Sequence, residues 1–186
     1  MAKLIYLMNA SLDAYVADAQ GSFSWIVPTE EWISYINALC SSCGTFLYGR
    51  RMYEAMVYWE TDYAAHNHQA FHLDFARQWQ AAEKIVYSRT LAEPRSARTR
   101  IEREFDTDAV RRLKADAGRD ITIQGPELAA QALRAGLVDE VHLLILPVIV
   151  GGGKRCFPGD LRLGLELVEE RAFRNGVVAM RYAVHS

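Results

Sequence analysis

The chain opens on Leu4-Ile5-Tyr6-Leu7-Met8, an almost unbroken apolar run of strand length. Runs of this kind form strands buried on both faces, so the first element is read as a central strand. The pattern then turns helical. Pro28-Thr29-Glu30-Glu31 supplies an N-cap and two first-turn acids, Trp32, Ile33, Ile36, Leu39 and Cys40 recur at helical spacing, and Gly44 reads as the stop. Thr45 to Tyr48 predicts a second strand ending at Gly49, with a helix beginning at Arg50. Residues 66–82 lack glycine and proline and set Phe71, Phe75 and Trp79 on one stripe, which predicts a helix. Residues 84–87 and 98–105 follow as strands. Thr107 reads as the cap of a helix closed by Gly118, residues 120–124 as a strand, and Pro126 as the first position of a helix closed by Gly136. Residues 138–146 form the longest strand candidate. Asn175-Gly176 joins two further apolar runs, the pattern of a type I′ hairpin. Strands alternate with helices up to about Val150, which implies a parallel sheet, and the final hairpin must be antiparallel. The expected class is α/β, three-layer α/β/α: a mixed sheet with parallel core strands, helices on both faces and a C-terminal antiparallel hairpin.

At 186 residues, 51% apolar and 24% charged, the chain has the size and composition of one folded domain over residues 1–186. A net charge of -2, with no block of like charges, argues against nucleic acid or anionic lipid as partner and leaves small molecules. Leu143 to Val150, interrupted by Pro147, is much shorter than the roughly 18 to 20 residues of a membrane helix, so no membrane association is expected. Asn9 breaks the N-terminal apolar run too early for a signal peptide, and a cytoplasmic location is expected. Cys40, Cys43 and Cys156 read as reduced thiols, and the Cys40/Cys43 pair as core packing.

In open α/β sheets, ligands collect where strands give way to helices. Leu47-Tyr48-Gly49-Arg50-Arg51 is one such junction. Two guanidiniums at a helix start oppose its dipole, which fits a bound anion such as a cofactor phosphate or, equally, one arginine in water and the other paired with Glu54. Ile123-Gln124-Gly125-Pro126-Glu127-Leu128 is a second junction, where Pro126 lacks an N–H and Glu127 adds a repelling charge. Ser88-Arg89, just after a strand, is a third place for a ribose phosphate. Gly151-Gly152-Gly153-Lys154 lacks the spacing and the hydroxyl of a phosphate-binding loop and reads as a flexible loop near a ligand or subunit contact. His68 and His72 are four apart but lack the glutamate of zinc peptidases, so no metal site is expected. His142, within a strand, reads as packed or hydrogen-bonded, and neither Ser11 nor Ser88 has the surround of a hydrolase nucleophile.

Five segments in order carry a resemblance. They are Ser11-Leu12-Asp13-Ala14-Tyr15-Val16-Ala17, Leu47-Tyr48-Gly49-Arg50-Arg51-Met52-Tyr53-Glu54, Val86-Tyr87-Ser88-Arg89-Thr90-Leu91, Gly136-Leu137-Val138-Asp139-Glu140-Val141 and Pro147-Val148-Ile149-Val150-Gly151-Gly152-Gly153-Lys154. Together the chain resembles the dihydrofolate reductase superfamily, especially its branch related to the reductase domain of riboflavin biosynthesis. The resemblance implies NADPH, with Gly49, Arg50 and Arg51 beside its phosphates, Ser88 and Arg89 near the adenosine 2′-phosphate, and Gly125, Pro126, Glu127 and Leu128 at the pyrophosphate turn. Gln124 and Pro126 depart from that turn's usual Gly-Gly. Asp13 falls on an acid that borders the reacting centre. It would assist proton transfer if burial raised its pKa, or else only cap its loop. Ala14 replaces the family's glycine, so the loop is expected to avoid positive φ. Asn9, Trp25, Glu30 and Glu31 fall on the substrate side, the last three where folate-reducing members hold a pterin. The implied activity is reduction of a small heterocyclic or carbonyl substrate, best named as 5-amino-6-(5-phosphoribosylamino)uracil. The alternatives are a ligand-binding dimer that has lost the cofactor, motivated by Gln124 and Pro126, and a dihydrofolate reductase-type enzyme. A homodimer is expected from the family and from the apolar stretch 138–150.

Overall fold

The computed structural model describes residues 1–61 and 69–185. Its strands are β1 (Leu4–Ser11), β2 (Tyr15–Ala17), β3 (Cys43–Gly49), β4 (Glu83–Tyr87), β5 (Thr99–Glu102), β6 (Asp120–Gln124), β7 (Glu140–Leu146), β8 (Lys154–Arg155), β9 (Gly164–Ala172) and β10 (Val178–His185). The described helices, numbered here in chain order, are α1 (Glu30–Cys40), α2 (Arg50–Met56), α3 (Tyr58–Thr61), α4 (Ala70–Ala81), α5 (Thr107–Asp116) and α6 (Pro126–Arg134). The fold is the α/β class expected: mostly parallel strands with helices on both sides and a C-terminal antiparallel hairpin. Two compact units share it, one of Met1–Ala2 and Pro28–Thr122, the other of Lys3–Val27 and Ile123–Ser186.

In the first unit the strands run in the order β5-β4-β3-β6, and both β5/β4 and β4/β3 are parallel. The helical stripes read from the sequence are its core: Trp32 and Ile33 of α1 and Phe75 and Trp79 of α4 are buried, as are Phe46 and Tyr48 of β3. Trp79 donates its indole N–H to Tyr48 Oη at 3.0 Å, so two large aromatics are buried without a lost hydrogen bond. Lys84 is buried and caps α4 from β4, its Nζ donating to Trp79 O at 2.9 Å. Local chemistry differs from expectation at two ends. Gly44 does not stop α1, which ends at Cys40; it lies inside β3, where a Cβ would come within 3.0 Å of Arg119 Cβ. Asp106, not Thr107, caps α5, accepting from the N–H of Asp108 and of Ala109. A carboxylate also favours the helix dipole, which a hydroxyl cannot do.

In the second unit β1 and β7 are parallel, and β7, β10 and β9 run antiparallel in that order. The flanking by β1 and β10 buries most of β7, whereas residues 147–150, the rest of the apolar stretch 138–150, are exposed or half-buried. The closing turn is not type I′. Of residues 174–176 only Gly176 has positive φ, Gly176 N–H donates to Phe173 O and Phe173 N–H to Val177 O, a three-residue loop with a glycine bulge. Asn175 instead uses its side chain, accepting from Val177 N–H.

The loop after β1 overturns another expectation. Ala14 sits at φ 65 and its N–H donates to Ser11 O, so the turn keeps the left-handed residue although glycine is gone. Left-handed φ costs a Cβ-bearing residue about 1–2 kcal/mol, and glycine returns about 0.4–1 kcal/mol of that through the unfolded chain. Ala14→Gly is therefore expected to stabilise the protein by about 0.5–1 kcal/mol. Urea unfolding would read this as a higher midpoint at unchanged slope.

Candidate functional site

In the first unit, α2 begins directly at Gly49, whose extended φ of -74 makes it an N-cap with no side chain, and no acid occupies the first turn. Arg50 is held from two sides: its Nε donates to Glu54 Oε1 at 2.8 Å and its Nη1 to Thr90 Oγ1 at 2.7 Å. The second bond joins the Gly49-Arg50-Arg51 segment to the one that follows β4. Arg51 is exposed. Ser88 is buried and its hydroxyl accepts from the N–H of Thr90 and of Leu91, so it builds the turn that presents Arg89 and Thr90. Arg89 is exposed and lies 3.3 Å from Glu104 Oε1, a surface pair that another anion can displace. Glu30 and Glu31 are exposed in the first turn of α1.

In the second unit, Asp13 is the hub of the loop after β1. Its Oδ1 accepts from Ser11 Oγ at 2.6 Å and from Val150 N–H at 3.2 Å, and its Oδ2 from Gly151 N–H at 2.8 Å. The Ser11 hydroxyl, with help from those two amides, holds the carboxyl below the usual aspartate range. The raised pKa that a proton donor would need is therefore not met, and the geometry makes Asp13 the clasp between the β1–β2 loop and the glycine loop. That glycine loop is not loose. Gly153, at φ 127, packs against the backbone of Ala17 and Asp18, and β8 pairs antiparallel with β2.

Gly125 takes φ 95, ψ 123 as N-cap of α6, and Pro126 occupies the first helical position. Lys154 Nζ lies 2.7 Å from Glu127 Oε1. From the sequence Glu127 reads as a repelling charge with no counter-ion in view; Lys154, far along the chain, in fact offsets it beside the helix start. Gln124 is buried at the end of β6. Asn9, on β1, and Trp25 are both partly buried, and Asn9 Oδ1 and Trp25 Nε1 have no hydrogen-bond partner among the described residues. An acceptor and a donor left open in this way suit a polar ligand. Trp25 belongs to the second unit, whereas Glu30 and Glu31 belong to the first.

His142 is buried and hydrogen-bonded, its Nε2 2.6 Å from Glu140 Oε2, as read from the sequence. Burial holds its pKa below the usual value against the pull of Glu140, so it is neutral at pH 7. Cys40, Cys43 and Cys156 are free and buried, and burial raises all three thiols above the ordinary range, which fits packing and not chemistry. Of the histidine pair, His68 lies outside the described residues, and no cluster of metal-ligating side chains occurs among the described ones. No helix there is long and apolar enough to cross a membrane.

Comparison with known proteins agrees with the family resemblance. The uncharacterized protein YyaP of Bacillus subtilis strain 168 is 27% identical over 184 residues, covering 97% of this chain and 94% of that one. A Shewanella sp. PV-4 protein named for riboflavin biosynthesis shares the fold with a TM-score of 0.76 at 19% identity, each chain covered in full. The diaminohydroxyphosphoribosylaminopyrimidine deaminase/5-amino-6-(5-phosphoribosylamino)uracil reductase of Thermotoga maritima matches with a TM-score of 0.66 at 13% identity, over 99% of this chain but 57% of that longer one. The family model of the RibD C-terminal domain matches residues 2–179. With nearly its whole length on that model, the chain belongs to the RibD C-terminal domain family.

Proposed function

We propose that this protein is an NADPH-dependent reductase of a small heterocyclic or carbonyl substrate, with 5-amino-6-(5-phosphoribosylamino)uracil the best single candidate. The observation that carries the reading is membership of the RibD C-terminal domain family over residues 2–179, supported by the fold this chain shares with part of the Thermotoga maritima deaminase/reductase. That supports an oxidoreductase in general; the cofactor and the substrate are our inference. When bound, NADPH supplies the hydride.

The residues present fit its anionic end. Arg89 and Arg51 are exposed, and the Arg50–Thr90 bond draws the two arginine-bearing segments together. A 2′-phosphate competes well for Arg89, because a guanidinium binds phosphate in fork geometry while its bond to Glu104 is long and in water. In the second unit, the positive φ of Gly125 keeps the backbone free of a side chain, and Lys154 offsets Glu127. Pro126 removes one donor, so fewer amides are left at this turn for the pyrophosphate.

Isothermal titration checks this directly. NADPH is expected to bind more tightly than NADH, and Arg89→Ala to weaken NADPH about tenfold while leaving NADH nearly unchanged. Absence of NADPH binding to the native chain, or equal affinity for both nucleotides, would end the proposal.

A further inference from the structure

In the first unit the ends of β4 and β5 lead into two neighbouring arms. The strands are parallel with Tyr87 beside Glu102, so the chain leaves both at one level, as residues 88–91 from β4 and 103–105 from β5. Phe105 packs on Tyr87 with ring centroids 5.2 Å apart, and Ser88 N–H donates to Glu102 O at 2.9 Å. These two contacts fix the second arm against the base of the first.

The first arm is a turn held through both its amides and its carbonyls. The Ser88 hydroxyl oxygen accepts from the N–H of Thr90 and of Leu91. The carbonyls of Ser88 and Leu91 converge instead on one nitrogen of the second arm: Arg103 Nη1 donates to Ser88 O at 3.0 Å and to Leu91 O at 2.7 Å. Both N–H bonds of that nitrogen are used, and each is strengthened by the guanidinium charge. The two residues between the gripped carbonyls are Arg89 and Thr90. Thr90 accepts from Arg50, and Arg89 reaches only Glu104, at 3.3 Å in water. One brace therefore places the backbone that carries Arg89 and the hydroxyl that steadies Arg50. Ser88-Arg89 stands out in the sequence, but nothing local announces a brace fifteen positions after Ser88.

We infer, on the NADPH reading above, that Arg103 is a positioning residue for the 2′-phosphate: it holds the turn from which Arg89 reaches that group, and so sets the preference for NADPH over NADH. A guanidinium on a loose turn gives up that turn's freedom when it closes on a phosphate, and the lost entropy comes off the affinity. A turn braced beforehand loses less. The brace also covers two carbonyl oxygens beside Arg89, whose partial negative charges would otherwise face an incoming anion. Arg103 acts through Arg89 because its Nη1 is committed to the main chain. NADH carries a hydroxyl where NADPH carries the phosphate, gains nothing from the placement of Arg89, and is indifferent to the brace.

Two measurements on the full chain test this. Hydrogen exchange without nucleotide reads the turn: Arg103→Met should speed exchange at the Thr90 and Leu91 amides by roughly tenfold while the amides of β3 and β4 stay protected. Isothermal titration reads the consequence. Arg103→Met should weaken NADPH about fivefold and NADH by less than about twofold, and in an Arg89→Ala background it should weaken NADPH no further, as a residue acting through Arg89 requires. Arg103→Gln serves if the methionine variant misfolds. Unchanged exchange at the turn, or an unchanged ratio of NADPH to NADH affinity, overturns the role. So does a loss of NADPH affinity that persists without Arg89, which would have Arg103 act on the phosphate itself, by contact or by its field. A native chain that binds no NADPH ends the cofactor reading and this role with it, even where exchange shows the brace in place.

Discussion

Glu140→Ala is expected to destabilise the protein by about 2–3 kcal/mol, because it takes the hydrogen-bond partner from a buried, neutral His142 and one of two acids from Arg181, while Lys3 is largely exposed. Glu140 is a buried carboxylate at the start of β7 with Lys3 Nζ at 2.5 Å, His142 Nε2 at 2.6 Å and Arg181 Nη2 at 3.5 Å. Its loss leaves the Arg181 charge leaning on Glu169 alone and His142 without a partner in a place water does not reach. Burial by itself would push the Glu140 carboxyl up; the hydrogen bonds from Lys3 and then His142, with their fields, outweigh it and bring the pKa to about 2. The sign of the pH effect follows. A carboxyl whose folded pKa lies below the unfolded value of about 4.3 lends stability above pH 4.3, and that contribution is lost as the pH falls toward 2. His142, depressed by burial, works in the same direction in a higher window, since the unfolded chain takes up its proton first as the pH drops below about 6.5. Native stability should thus fall twice on acidification. In Glu140→Gln the lower step should vanish, while thermal unfolding at pH 7 should come roughly 10 °C lower if the loss approaches that of the alanine variant. A pH-stability curve of that variant superimposable on the native one would refute the role.

How much of this was legible in the sequence depends on the distance over which each feature is decided. Helical stripes such as Trp32/Ile33 and Phe75/Trp79 are local patterns, and they bury as the pattern requires. Glu140 and His142 two apart on a strand must share a face, so their meeting could be read from alternation alone; that Lys3 and Arg181 complete the cluster is decided by strand order, which no local pattern encodes. The same divide runs through the candidate site. Gly49-Arg50-Arg51 and Ser88-Arg89 stood out as strand-to-helix and strand-end signals, whereas the Arg50–Thr90 bond that joins them spans forty positions. Ser88 stands out in the sequence as a hydroxyl just after a strand; that its oxygen accepts from two backbone amides, leaving its O–H to donate, is a feature of the turn that only the structure displays. For Asp13 the sequence leaves open an acid tuned by burial or a cap of its loop; the nearby donors lower its pKa and favour the cap.

The triple glycine is the sharpest case, and a graded series of alanines tests it. Gly152 has ordinary φ and open space where a Cβ would go, so Gly152→Ala should be nearly neutral. Gly151 also has open space but sits at φ 76, so Gly151→Ala should cost about 1–2 kcal/mol of backbone strain. At Gly153 both penalties apply. The φ is 127, and an added Cβ would lie 2.2 Å from Ala17 O and 2.4 Å from the Asp18 carbonyl carbon, main-chain atoms that cannot rotate away. Ala17 is itself paired with Lys154 in the β2–β8 ribbon, and Asp18 closes the next turn by accepting from the N–H of Gln20 and of Ser22. The ribbon must therefore open for the methyl to fit, at about 3–5 kcal/mol when strain and overpacking are taken together. Opening it also pulls Val150 and Gly151 from the Asp13 carboxylate and displaces Lys154 from Glu127, so the NADPH binding proposed above should weaken along with stability. Urea unfolding of the three variants separates the accounts: a flexible loop would give three equal and small effects, while the packed loop orders them 152, 151, 153 from least to most disruptive.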